Sequence, residues 1–165
     1  MEGTSIRPAD DADAPAIASI YNQAVLGSTA TFDTEPVTAE SRIGWLAEHA
    51  DARYPVLVAE IGGRVVGWTS LSAWSDRCAY AATCEISTYV DDAYRGRGIG
   101  GALSEAIVEA GRLAGVHAVV SRICTENVAS LAMARGLGFA EVGVLREVGF
   151  KFGRMLDVAI FEKLL

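Results

Sequence analysis

Ser87-Thr88-Tyr89-Val90-Asp91-Asp92-Ala93-Tyr94-Arg95-Gly96-Arg97-Gly98-Ile99-Gly100-Gly101 is the stretch whose reading decides the fold. A strand ends at Val90, a short polar turn follows, and a glycine-rich segment opens a helix. Arg95-x-x-Gly98-x-Gly100 suits a pyrophosphate. Small residues let backbone N–H groups approach the anion, and a helix N-terminus adds about half a positive charge. Arg95 and Arg97 place mobile positive charge beside it.

Gly96-x-Gly98-x-x-Gly101 also satisfies the dinucleotide fingerprint. That reading needs an acidic residue at the end of the next strand, roughly 20 residues on, to hold the ribose hydroxyls. The next strand, His117-Ala118-Val119-Val120-Ser121-Arg122, ends without a carboxylate, and the loop sits past mid-chain with no second strand–helix–strand unit behind it. A nicotinamide site is therefore disfavoured.

Outward from the loop, the chain reads as alternating strands and helices. Ser5–Pro8 is a short first strand. Asp13 and Pro15 start a helix whose apolar face is Ile17, Ile20, Ala24 and Val25. Thr38 caps a second helix with the stripe Ile43, Leu46, Ala47 and Ala50. Val56–Glu60 and Arg64–Thr69 flank Gly62-Gly63, a hairpin signal. A strand from Ala82 to Val90 leads into the loop. The helix after it carries Ile99, Leu103, Ala106, Ile107 and Ala110 and stops at Gly115. The His117–Ile123 strand, a helix over Val128–Arg135 and strands around Glu141–Val148 and Met155–Phe161 complete it. The expectation is one α/β domain over residues 1–165 with a mixed, mainly antiparallel sheet flanked by helices.

Bulk properties narrow the function classes. The chain has 165 residues, enough for a real core, and 51% of them are hydrophobic. No run approaches the roughly 18 apolar residues of a membrane span, and Met1-Glu2-Gly3-Thr4 lacks a signal-peptide profile. A net charge of −7 argues against nucleic-acid binding, while Arg95 and Arg97 keep the loop locally positive. Cys78, Cys84 and Cys124 fit neither a disulfide framework nor a metal motif, so we expect reduced thiols, a cytoplasmic protein and no metal.

The loop, followed by Asn127-x-x-Ser130 and then Leu137-Gly138-Phe139, resembles the two acyl-CoA motifs of the GNAT superfamily of N-acetyltransferases. Further segments resemble its phosphinothricin and methionine-sulfoximine N-acetyltransferases. These are Tyr21-Asn22, Ala30–Pro36, Arg77-x-x-Tyr80, Cys84-Glu85-x-Ser87-x-Tyr89-Val90 and Val148–Arg154, and they run nearly end to end. The resemblance implies a GNAT fold, acetyl-CoA as co-substrate, a small-molecule amine as acceptor and a homodimer. It assigns Thr88, Tyr89, Val90, Arg95, Gly96, Arg97, Gly98, Ile99, Gly100, Gly101, Asn127 and Ser130 to acetyl-CoA. Phe32, Arg77, Tyr80, Glu85 and Lys151 fall to the acceptor. Asn127 also reads as an ordinary helix cap, and Phe32 as core. The chain departs from the family pattern at Ile86, at Ala134-Arg135, where His-Glu is usual, and at Met155, where an aromatic is usual.

Acetyl transfer needs a neutral amine, and an α-ammonium has a pKa of roughly 8. Glu85 lies on the strand entering the loop and matches the family's catalytic glutamate, the general base. It also reads as a salt-bridge partner of Arg77 or Arg122. A backbone N–H near Val90 would polarise the thioester carbonyl. The position where some members carry a tyrosine acid is Met133 or Ala134 here, so no side-chain acid is expected there.

Overall fold

The computed structural model describes residues 3–165. Its elements in chain order are β1 (Thr4–Pro8), α1 (Ala14–Gly27), α2 (Ala39–Glu48), β2 (Val56–Ile61), β3 (Arg64–Ala73), β4 (Thr83–Val90), α3 (Ile99–Leu113), β5 (Ala118–Cys124), α4 (Val128–Gly136), β6 (Ala140–Lys151) and β7 (Arg154–Leu164). Seven strands form one sheet in the order β1-β2-β3-β4-β5-β7-β6, antiparallel except between β4 and β5. No helix among the described residues is long and apolar enough to cross a membrane.

The two faces of the sheet bury different clusters. Val58 and Trp68 pack with Ile17, Ile20, Tyr21 and Val25 of α1. On the other face, Ala59 and Val66 meet Ile99 and Leu103 of α3, while Cys84 and Val119 meet Ile107 and Ala134. Strand residues alternate between the faces, so Glu85, Ser87 and Tyr89 look toward α1 and α2, and Thr88 and Val90 toward α3.

One parallel pair shapes the function. β4 and β5 are hydrogen-bonded only from Thr83–Ala118 to Glu85–Val120; beyond Glu85 the strands part. Antiparallel neighbours hold each strand on its far side, β4 by β3 down to Val90 and β5 by β7 along its full length. The sheet therefore opens as a wedge at the carboxyl ends of β4 and β5, the place where open sheets with a topological switch bind ligands.

Two sequence expectations change. In α2 the inward face is Arg42, Trp45 and Leu46, while Ile43 is 44% exposed. The Arg42 guanidinium lies 4.4 Å from the Tyr21 ring centre and 5.0 Å from that of Trp45, so cation–π contact buries a charge where the apolar stripe was expected. The last two strands also run longer than their apolar alternation suggests. Register breaks between Glu141 and Gly143 and between Leu145 and Gly149 interrupt the alternation, and Glu147 sits at φ 54° with its N–H donating to Asp157 Oδ1 at 2.8 Å.

Candidate active site

The wedge holds two adjoining cavities. The larger, about 650 Å³, runs from Val90 across the start of α3 to the start of α4. Every residue assigned from the resemblance to acetyl-CoA lines it except Arg97. Gly98 precedes α3 at φ 80°, a conformation that favours glycine, and contributes no side-chain cap. The first bond back into the helix is from the Ala102 N–H to the Gly98 carbonyl at 3.1 Å. The N–H groups of Ile99, Gly100 and Gly101 thus lack partners within the helix, at a cavity wall where an anion would complement them. Arg95 stands beside them with Nε donating to the Val90 carbonyl at 3.3 Å and Nη2 paired with Asp92 at 2.7 Å. Arg97 is turned outward over the Tyr94 ring, 5.0 Å from its centre, with Nη2 donating to the Ala93 carbonyl. Arg97, assigned to acetyl-CoA from the resemblance, lines neither cavity.

Across the groove, Asn127 Oδ1 accepts from the Ser130 N–H at 3.3 Å, so the side chain does cap α4. Its Nδ2 has no protein acceptor among the described residues and remains available to a ligand. The donor set and the bare helix start fit a pantetheine–pyrophosphate arm.

The β3–β4 ladder sets the backbone donors. The Asp91 N–H donates to Val66 and the Trp74 N–H to Thr83, so odd-numbered residues of β4 bond to β3. The amides of Thr88 and Val90 therefore point into the wedge.

The second cavity, about 360 Å³, continues on the α1 side and shares Ala30, Thr88, Tyr89, Asn127, Ser130 and Met133 with the first. Phe32 and Glu85, both given to the acceptor by the resemblance, line it. Glu85 is 19% exposed at its side chain and is held by Arg122, Nε to Oε1 at 2.5 Å and Nη2 to Oε2 at 2.7 Å. The carboxylate bonds raise the pKa of Arg122. Tyr21 donates to Asp33 Oδ2 at 2.7 Å and shares a hydrogen bond with Thr31 at 2.8 Å, fixing the wall opposite. Burial raises the pKa of the Tyr89 phenol, so it stays protonated.

Three acceptor-site expectations meet a different geometry. Arg77 and Tyr80 sit in the exposed β3–β4 connection and line neither cavity. Lys151 is 4% exposed and points inward. Its Nζ donates to the carbonyls of Ser28 and Thr31, each at 2.8 Å, closing the C-terminal end of α1 rather than the cavity. The side-chain hydroxyls of Thr69, Thr88 and Ser104 form a chain at 2.8 and 3.0 Å beneath the junction of the cavities. That chain had no sequence signal, because isolated Ser and Thr in a strand and a helix carry no spacing rule. Among the described residues no group of three or more His, Cys, Asp or Glu side chains is arranged to hold a metal ion.

With this geometry, the match to the family model Acetyltransferase (GNAT) family over residues 17–139 is decisive. The chain belongs to the GNAT acetyltransferases. It is an acyltransferase. It is 40% identical over 159 residues to the L-methionine sulfoximine/L-methionine sulfone acetyltransferase of Pseudomonas aeruginosa, covering 96% of this chain and 92% of that protein. The phosphinothricin N-acetyltransferase of Streptomyces coelicolor is 36% identical over 169 residues, covering 99% of each. A Salmonella typhimurium structure containing its cofactor acetyl-CoA superposes with a TM-score of 0.96 at 36% identity, over 99% of this chain and 95% of that one.

Proposed function

We propose that this acetyltransferase moves the acetyl group of acetyl-CoA to the α-amine of a small amino-acid analogue of the methionine sulfone, methionine sulfoximine or phosphinothricin type. Transfer is direct, within one ternary complex. The observation that carries this reading is the meeting of the two cavities along Thr88 and Tyr89, with Glu85 on the far wall. Relatives named for these acceptors match nearly the whole chain.

Acetyl-CoA supplies the activated thioester. The N–H groups at the start of α3, with Arg95, hold its diphosphate, and Asn127 Nδ2 holds the arm. The inward-facing Val90 amide hydrogen-bonds the carbonyl oxygen, as an oxyanion-hole donor does. Glu85 takes the proton of the acceptor's ammonium. No thiol is placed to intervene. Cys84 is buried with its pKa pushed up to about 11 by desolvation, and neither Cys78 nor Cys124 lines a cavity.

We also propose a homodimer across β6, the edge strand. Its Val142, Leu145, Val148 and Phe150 are 49–65% exposed, an apolar edge that sheet proteins seldom leave bare. Sedimentation of the purified chain at micromolar concentration checks it.

The deciding experiment is thiol release from acetyl-CoA against a panel of amines. Methionine sulfone, methionine sulfoximine and phosphinothricin should exceed spermidine and short peptides in kcat/KM. The reverse order sinks the acceptor assignment.

A further inference from the structure

Arg122 carries the only positive charge on the wall of the acceptor cavity, among the described residues. It stands where the sheet opens: Glu85 is the last residue of β4 paired with β5, opposite Val120, and Arg122 lies two positions further along β5. Its guanidinium carbon rests 5.7 Å from the Trp74 ring centre. The pair is asymmetric, with Glu85 19% and Arg122 55% exposed. Both carboxylate oxygens are engaged by one fork, so neither is turned freely to an incoming ammonium.

An α-amino acid carries its ammonium and carboxylate on the same carbon. Two side chains that grip both must themselves be in contact and of opposite charge, and Arg122 with Glu85 is such a pair. Resting on the acceptor class proposed above, we infer that Arg122 recognises the acceptor's carboxylate by exchanging Glu85 for it. The zwitterion binds with its carboxylate on Arg122 and its ammonium on the released Glu85. One ion pair becomes two, and the base is freed only when a carboxylate-bearing acceptor is present. A simple amine has nothing to offer the guanidinium and leaves Glu85 held.

The transfer then balances. Glu85 takes one ammonium proton, and the amine lone pair forms the N–C bond as the thioester C–S bond breaks. The second amine proton goes to the thiolate sulfur, and Glu85 returns its proton to solvent. Arg122 changes no bond and acts as a specificity-determining residue.

The test compares methionine sulfone with its carboxamide as acceptors, in the wild type, Arg122→Gln and Arg122→Lys. Calorimetric acetyl-CoA affinity serves as the check on folding. In the wild type the carboxamide should have a KM about 10- to 100-fold higher, the value of one charge-assisted contact. Arg122→Gln should raise KM for methionine sulfone by a similar factor and bring the two acceptors within about 3-fold of each other. Arg122→Lys should recover part of the preference, because an ammonium lacks the planar fork. A variant that binds acetyl-CoA normally yet keeps the wild-type preference overturns the assignment of Arg122. So does one that loses kcat equally on both acceptors. Failure of the wild type to acetylate any amino acid, while acetylating other amines, overturns instead the acceptor class beneath it.

Discussion

Gly149 of β6 lies so close to the Phe32 ring that no side chain fits between them. A Cβ at Gly149 would come within 2.9 Å of Phe32 Cζ and nearer still to Cε2 and Cδ2. Phe32 lines the second cavity, the proposed acceptor site, so β6 sets that wall from behind.

Gly149→Ala should therefore push the ring into the cavity. Acceptor KM should rise by about 10-fold, with acetyl-CoA affinity unchanged, since overpacking of this kind costs about 1–3 kcal/mol. Phe32→Ala in the same chain should relieve the clash. Steady-state kinetics on the double-mutant cycle should show strong non-additivity. Additive effects would mean that the ring and the glycine act independently.

Lys151 offers a stability test. Its ammonium ties the C-terminal end of α1 and the Ser28–Thr31 segment to β6, with a third, longer contact to the Ala24 carbonyl at 3.4 Å. Lys151→Met removes charge-assisted bonds worth about 1.5–3 kcal/mol and strands buried carbonyls. For a domain of this size the melting temperature should fall by on the order of 5 °C. Calorimetry measures it, and an unchanged melting point would show that water replaces the ammonium.

Glu85→Gln should keep acetyl-CoA affinity while lowering turnover of methionine sulfone by about 10² or more. An amide cannot take the ammonium proton, yet its oxygen can still accept from Arg122. Turnover within a few-fold of wild type, in a variant of normal melting temperature, would reduce Glu85 to a structural partner of Arg122.

How much of this was legible differs from residue to residue. The cofactor groove was, because glycines, an arginine and a capping asparagine act through backbone geometry that their spacing encodes. For Glu85 the sequence offered two readings, a base and a salt-bridge partner, and the structure contains the salt bridge. Which arginine it meets was not legible, because that depends on where β4 and β5 part, and strand pairing leaves no local mark. Lys151 was given to the acceptor by resemblance, and its bonds to the Ser28 and Thr31 carbonyls depend on how β6 meets the end of α1, which likewise leaves no local mark. Arg42 illustrates the limit of charge as an exposure signal, since the rings of Tyr21, Trp45 and Trp68 take the place of water around it.

His49 sets an acid limit on stability. Its ring bonds the Trp45 carbonyl at 2.7 Å and Ser72 Oγ at 2.9 Å, and burial lowers its pKa from 6.5. Between the depressed folded value and about 6.5, the unfolded chain binds a proton that the folded chain refuses. The stability due to neutral His49 is thus fully present above pH 6.5 and is lost as pH falls through the folded value. Melting curves of wild type and His49→Gln from pH 7.5 to 5 should show a steeper acid decline in the wild type. Parallel declines would assign the loss to other groups.

Arg95 is already engaged, and that sets the size of its contribution. Its pair with Asp92 is exposed on both sides, 51% and 60%, and such pairs are worth about 0–1 kcal/mol. A diphosphate can draw the guanidinium away at small cost, leaving most of a charge-assisted contact of about 1.5–3 kcal/mol. Arg95→Ala should therefore weaken acetyl-CoA binding by roughly 5- to 30-fold, with the loss shrinking as salt rises. Asp92→Asn removes the competitor and should tighten binding by up to about 5-fold. Gly98→Val acts through the backbone: a branched residue cannot hold φ near 80° without strain, and the N–H cradle at the start of α3 is displaced. It should cost more affinity than Arg95→Ala and depend less on salt. Calorimetric titration at two ionic strengths separates the two effects. Equal, salt-independent losses in both variants would show that the loop holds the diphosphate through its backbone alone.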